Sequence, residues 1–182
     1  MREFQEMVVE AAEAQRAAQF SMDTEFMMPF HIDEISLLFD SQDSLAEFAA
    51  WAETAGGVDH FNRVDSDTAV RIDNMTIPSE DRQEFKHRFE FLRIPGADWR
   101  IEAMCVLEGV APIHEAHVAK HGNGCVVHAS WKLPDRQSYE ATWARHEGLR
   151  LFAEYRNSYG IFSYWHASGT FYFKPRVNLR DN

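Results

Sequence analysis

An order of elements that occurs twice constrains this chain more than any other feature. Period-two runs and helical runs follow one another as strand, helix and three strands, and the series then returns. HIDEISLLFD, 31–40, alternates and is rich in branched residues, which predicts a strand. Ser41 or Ser44 can cap the next helix, DSLAEFAAWAETAGG, which stops at Gly56-Gly57. TAVRIDNMTI (68–77), EFKHRFEFLRI (84–94) and WRIEAMCVL (99–107) complete the first series, with a turn at Pro95-Gly96. APIHEAHVAK, 111–120, is a short connecting helix that ends at His121-Gly122-Asn123-Gly124. In the second series GCVVHASWKL is the strand and PDRQSYEATWARHEG the helix, with Pro134 early and Gly148 after it. LRLFAEYR, YGIFSYW and TFYFKPRV are its three strands. Identity between the halves is weak, so the repeat is one of structure. The expected fold is α+β: two tandem βαβββ units, about 29–108 and 124–178, forming a curved mixed sheet around one cleft.

Residues 1–28 stand before this repeat as an N-terminal helical extension, and 29–182 form a single domain. Within the extension, Phe4, Met7, Val8, Ala11, Ala14 and Ala18 fall at helical spacing and make one apolar stripe. That stripe is expected to pack on a neighbouring element or on a second subunit, which would make a homodimer.

The formal net charge of −11 would repel a phosphate backbone, so nucleic acid is a poor partner. No apolar run approaches the roughly 18 residues of a membrane span, and no secretory signal is visible. Two cysteines, Cys105 and Cys125, are too few for a disulfide framework and read as buried thiols. The expected compartment is the cytoplasm. No GxSxG, HExxH, P-loop or GxGxxG occurs, which removes support for serine hydrolase, zincin, nucleotide hydrolase and Rossmann readings.

Strand faces concentrate the remaining chemistry. Ile35, Leu37 and Phe39 oppose Glu34, Ser36 and Leu38; Ile101, Ala103 and Cys105 oppose Arg100, Glu102 and Met104. Val127, Ala129 and Trp131 oppose Val126, His128, Ser130 and Lys132, and Trp131 is assigned to the core. Glu34, Glu102 and His128 therefore share the less apolar face. A mid-strand carboxylate is costly if buried alone and tolerable beside a cation, a metal or a wet cavity. On a solvated face it needs no function. Together the three supply oxygen and nitrogen donors suited to zinc, iron, manganese or magnesium.

WRIEAMCVLEG, a short helix, KHGNG, then CVVHASWKL resembles the vicinal oxygen chelate superfamily, which includes glyoxalase I, methylmalonyl-CoA epimerase, extradiol dioxygenases and bleomycin-resistance proteins. SYWHASGTFYFKP resembles that family's closing hairpin, and the resemblance covers roughly 30–178. It implies one metal ligand on the first strand of each unit and one near the last. Carried over, these fall on Glu34, Glu102, His128 and, for the fourth, Phe173, which cannot bind a metal; a shift of one offers Tyr172. The ligand set of extradiol dioxygenases is not reproduced. The resemblance implies a glyoxalase- or epimerase-like enzyme acting on a small oxygen-rich substrate through an enolate, as isomerase or lyase. A divalent metal held by Glu34, Glu102 and His128 would polarise the substrate, and Glu102 or Glu34 would move the proton. The alternative is a metal-free protein that binds or sequesters a small molecule on the same fold.

His114, His117 and His121 lie three and four apart and could hold a metal, but a solvated helix face is the expectation. His31 is expected to pack or hydrogen-bond, His87 to line the cavity among Phe85, Phe89 and Phe91, and His166 to sit at a turn or pocket rim. Met27-Met28 read as filler. Phe162, Tyr164, Trp165, Phe171, Tyr172 and Phe173 are expected to divide between core and cavity wall.

Overall fold

The repeat in the sequence is a repeat in space. The structure, a computed structural model, describes residues 3–54, 58–71, 84–109, 111–145, 150–157, 160–166 and 171–178. Unit one runs β1 (Glu34–Leu38), α2 (Gln42–Thr54), β2 (Asp59–Arg71), β3 (Glu84–Arg93) and β4 (Arg100–Glu108). Unit two runs β5 (Cys125–Lys132), α4 (Arg136–Arg145), β6 (Arg150–Asn157), β7 (Gly160–His166) and β8 (Tyr172–Asn178). α1 (Phe4–Thr24) precedes both, and α3 (Pro112–His121) joins them. No described helix is long and apolar enough to cross a membrane.

The strands follow the order β1-β4-β3-β2-β6-β7-β8-β5, and β5 returns to β1 to close a barrel. β1 runs parallel to β4, and β5 parallel to β8; the other pairs are antiparallel. The units meet twice, through β1 with β5 and β2 with β6. An eight-strand barrel of this kind has an interior just wide enough to be filled by side chains.

Register shows that the two units are related by an approximate two-fold. Ser36 pairs with Glu102 across β1 and β4, and Ser130 pairs with Lys174 across β5 and β8. Across β1 and β5, Ser36 pairs with His128 and Glu34 with Ser130. The operation that exchanges the units therefore carries Glu34 to His128, Ser36 to Ser130 and Glu102 to Lys174.

The outer face of the sheet is apolar. Met7, Ala11, Ala14, Ala18 and Met22 of α1 join Ile35, Leu37, Ala129, Trp131 and Phe173 in one cluster, with Leu45, Phe48 and Ala52 of α2. The stripe of the extension thus covers β1 and β5 of its own chain. Gln15 and Gln19 fasten it further: Gln15 Nε2 donates to the Ile32 carbonyl (3.2 Å) and Gln19 Oε1 accepts from the Ile32 N–H (2.8 Å). Gly124, at φ +69°, lets the helix approach; a Cβ there would collide with the Met7 side chain. Ser41 is the residue that caps α2, its Oγ accepting from the Ser44 N–H at 3.2 Å.

Several expectations are corrected. The strand expected over 68–77 begins at Asp59. Its first half, DHFNRVDS, is largely solvated and carries no apolar alternation to announce it. Residues 72–77, Gly56-Gly57 and Gly148 lie outside the described residues, as do the side chains of Phe162, Trp165 and His166. Met28 is buried as filler, but Met27 is 82% exposed. His114 and His117 are buried, 2% and 7% exposed, where a solvated helix face was expected. α3 is polar in composition, yet Ile113 and Val118 pack into a second cluster with Leu38, Phe85, Phe89, Met104 and Tyr164, which takes the two imidazoles with them.

Candidate active site

Alternation along four strands brings Glu34, Ser36, Glu102, His128 and Lys174 together inside the barrel, none more than 5% exposed. Donor atoms of Glu34, Glu102 and His128 all lie within 4.8 Å of one another, close enough for one ion to touch all three. The sequence-derived triad is therefore assembled. What the sequence did not reveal is the group beside it. Lys174 Nζ lies 3.3 Å from Glu102 Oε1 and 3.5 Å from Glu34 Oε1. Arg100 Nη2 donates to Glu34 Oε2 at 2.6 Å, and Arg176 Nη2 lies 3.8 Å from the same oxygen. Arg176 is itself anchored through Nη1 and Nη2 to Asp33, at 2.8 and 2.9 Å.

This arrangement drives the two carboxylates apart in proton affinity. Burial alone would raise the pKa of Glu34, but Arg176, Lys174 and Arg100 together hold it well below the usual carboxylate range. Burial raises Glu102 to about 7, and the negative charge of Glu34 adds to the rise. One carboxylate stays ionised and its neighbour exchanges a proton near neutrality, the division of labour that acid–base chemistry needs.

A chain of hydrogen bonds runs from Glu102 toward α3. Ser36 Oγ donates to Glu102 Oε1 at 3.0 Å and is bonded in turn to His128 Nε2. His128 Nδ1 meets Tyr164 Oη at 3.0 Å, Tyr164 Oη meets His114 Nε2 at 3.2 Å, and His114 Nδ1 meets His87 Nε2 at 3.2 Å. While Glu102 is ionised, Ser36 must donate to it. Every other link then has one consistent direction, with the three imidazoles each protonated on Nε2 and Tyr164 donating to His128. Burial, with the nearby charge of Lys174, holds His128 well below the usual imidazole value. Burial likewise holds His87 well below it and His114 down at about 3, so the rings are neutral as this pattern requires.

The fourth position implied by the family resemblance is corrected. It was assigned to Phe173, with Tyr172 as the shifted alternative. Phe173 faces the outer cluster, 5.2 Å ring to ring from Phe26. Tyr172 pairs with His128, one step short of the equivalent of Glu102. The two-fold places Lys174 there. Its signal was the alternation in TFYFKPRV, which sets Tyr172 and Lys174 on one face and Phe171 and Phe173 on the other.

A divalent metal does not fit this centre as it stands. Glu34 Oε1, which carries no hydrogen bond, is the atom that would favour one, but its neighbour is already the Lys174 ammonium. Among the described residues Asp33, Glu34 and Glu102 are matched by Arg100, Arg176 and Lys174. An added dication would sit unbalanced against an ammonium among buried side chains.

Other residues have structural places. His31 Nε2 lies 3.3 Å from Asp98 Oδ2, and His87 packs edge-on against Phe85 at 4.5 Å. His117 Nε2 is bonded to the Val126 carbonyl at 2.9 Å. Cys105 and Cys125 are buried thiols, and burial pushes Cys105 up to about 11. Trp131 lies in the outer core.

No protein-family model and no curated protein matches the sequence. Solved structures do. Methylmalonyl-CoA epimerase from Mycobacterium tuberculosis superposes with a TM-score of 0.52 at 16% identity, over 80% of this chain and 86% of that one. A hypothetical protein from Bacillus halodurans superposes with a TM-score of 0.50 at 12% identity, over 82% of this chain and 95% of that one. At such identity the likeness carries the architecture: the chain has the vicinal oxygen chelate fold.

Proposed function

We propose that this chain is an enzyme that moves a proton next to a carbonyl in a small, oxygen-rich substrate, working as an isomerase or lyase through an enolate-type intermediate. The observation that carries the reading is Glu102, a buried carboxylate whose proton affinity is raised to about 7 beside an ionised partner and an ammonium. The similarity in fold to a methylmalonyl-CoA epimerase supports the same chemistry.

Glu102 acts as the base. It takes the proton from the carbon beside the carbonyl, and the C–H electron pair moves onto the carbonyl oxygen. Lys174 Nζ is the donor within reach of the centre that can hold the resulting oxyanion. Protonated Glu102 then returns the proton to a different atom of the enolate, which isomerises the substrate. If the adjacent carbon carries a leaving group, the enolate expels it instead, which is lyase chemistry. Glu34, locked as an anion by Arg100 and Arg176, keeps the proton affinity of Glu102 high. A metal ion has no step in this scheme.

The test is wash-in of deuterium. Purified protein in D₂O is given methylmalonyl-CoA and a panel of small α-hydroxy ketones and 2-substituted thioesters, and the α-proton is followed by NMR. The expected result is exchange at least about 100-fold above background for one class, lost in Glu102→Gln. The aromatic surroundings of the centre, Phe85, Phe89 and Tyr164, favour a second reading, a metal-free binding protein. Saturable binding of a ligand with no exchange in any member of the panel would establish that reading instead.

A further inference from the structure

We infer that the Lys174 ammonium is a built-in cation standing where a fourth ligand and its metal ion would otherwise be, so that one substitution turns this centre into a divalent metal site. The inference is independent of the reaction and holds for an enzyme or a binder alike.

Three observations carry it. Glu34, Glu102 and His128 present donor atoms within 4.8 Å of one another, a spacing at which one cation can reach all three. The register of the barrel makes Lys174 the two-fold equivalent of Glu102, as His128 is of Glu34, so the four side chains occupy one symmetric set of positions. The Lys174 Nζ then reaches back to both carboxylates, at 3.3 and 3.5 Å. Three of the four positions hold metal donors, and the fourth holds the positive charge itself. An ammonium offers hydrogen-bond donors and no coordination sites. The centre can therefore steady anionic oxygen, but it cannot chelate two substrate oxygens as an open metal site would. Replacing Lys174 by a carboxylate removes the competing cation and supplies the missing ligand together.

Full-length protein, freed of metal with a chelator, is titrated calorimetrically with Mn²⁺ and Co²⁺ as wild type, Lys174→Glu and Lys174→Gln. Wild type is expected to show no binding at this centre. Lys174→Glu is expected to bind one ion at least about 100-fold more tightly, with a cobalt visible spectrum of low symmetry. Adding Glu102→Gln to that variant should abolish the gain, which separates the centre from surface histidines. Lys174→Gln, which removes the charge and adds a neutral oxygen, is expected to fall between the two. It carries the test if circular dichroism shows that Lys174→Glu does not fold. Stoichiometric binding by wild type that Glu102→Gln removes would overturn the inference, and so would no gain in any folded Lys174 variant.

Discussion

Ile35 and Leu37 turn outward to α1 and α2 and meet apolar side chains. Glu34 and Ser36, which alternate with them, turn inward and meet cations, a carboxylate and an imidazole. The same contrast holds on β8, where Phe173 packs outward against Trp131 and Lys174 points at two carboxylates. The outer face needs only area and shape. The inner face is stable only as a set, because each buried charge there would be prohibitive without the others. Stability and chemistry thus occupy opposite sides of the same strands.

The largest effect should come from the outer face. Trp131→Ala removes one of the largest fully buried side chains, and we expect a loss of about 3–5 kcal/mol in urea unfolding at any pH. If the cost were under about 1 kcal/mol, the outer face would not be the main support of the fold. Lys174→Met tests the other side. It leaves two buried carboxylates without their shared cation, which should cost about 3 kcal/mol. Here the cost should depend on pH, being larger above neutrality, where wild-type Glu102 is ionised and gains from the ammonium that the variant lacks. A cost that did not vary between pH 6 and 8 would mean that the carboxylates are not coupled through Lys174.

Glu102→Gln sharpens the contrast further. The fold raises the proton affinity of Glu102 from 4.5 to about 7, so its contribution to stability is fully present below 4.5 and is lost as pH rises through 7. A glutamine suffers no such loss. The variant should therefore gain on wild type by about 2 kcal/mol between pH 5 and pH 8, read from paired denaturation curves. The buried imidazoles have the opposite sign. Their lowered values mean that stability is present above 6.5 and falls as pH drops below it. Tyr164→Phe should have a smaller effect, about 1–2 kcal/mol, because His114 and His128 both lose a partner. It should also release the Nε2 preference of His114 in ¹⁵N NMR, while His128 keeps its own through Ser36. Retention of the His114 tautomer would show that the hydrogen-bond chain does not set it.

How much of this was legible in the sequence divides along the same line. Alternation is a signal of faces, so the unit order, the inward set of Glu34, Glu102 and His128, and the outward Trp131 could all be read. Register is not written in alternation. Alternation alone sets Phe173 on the outer face, but which inward residue of β8, Tyr172 or Lys174, stands opposite Ser130 follows from strand pairing. Composition also misled at α3, where His114 and His117 look solvated but are buried. A helix that covers a polar interior can be polar on its buried face. The first half of β2 was missed because it lies in solvent and bears no apolar rhythm.

The most direct measurement is the titration of the Glu102 carboxyl itself. Protein labelled with ¹³C at the glutamate side-chain carboxyl would be followed by NMR from pH 4 to pH 9, with Glu102→Gln and Glu34→Gln spectra for assignment. We predict that one resonance, absent in Glu102→Gln, titrates near 7, and that the Glu34 resonance stays ionised throughout. Titration of Glu102 near 4.5, the value of an ordinary glutamate, would contradict a base poised for proton transfer and leave the buried cluster as scaffolding alone.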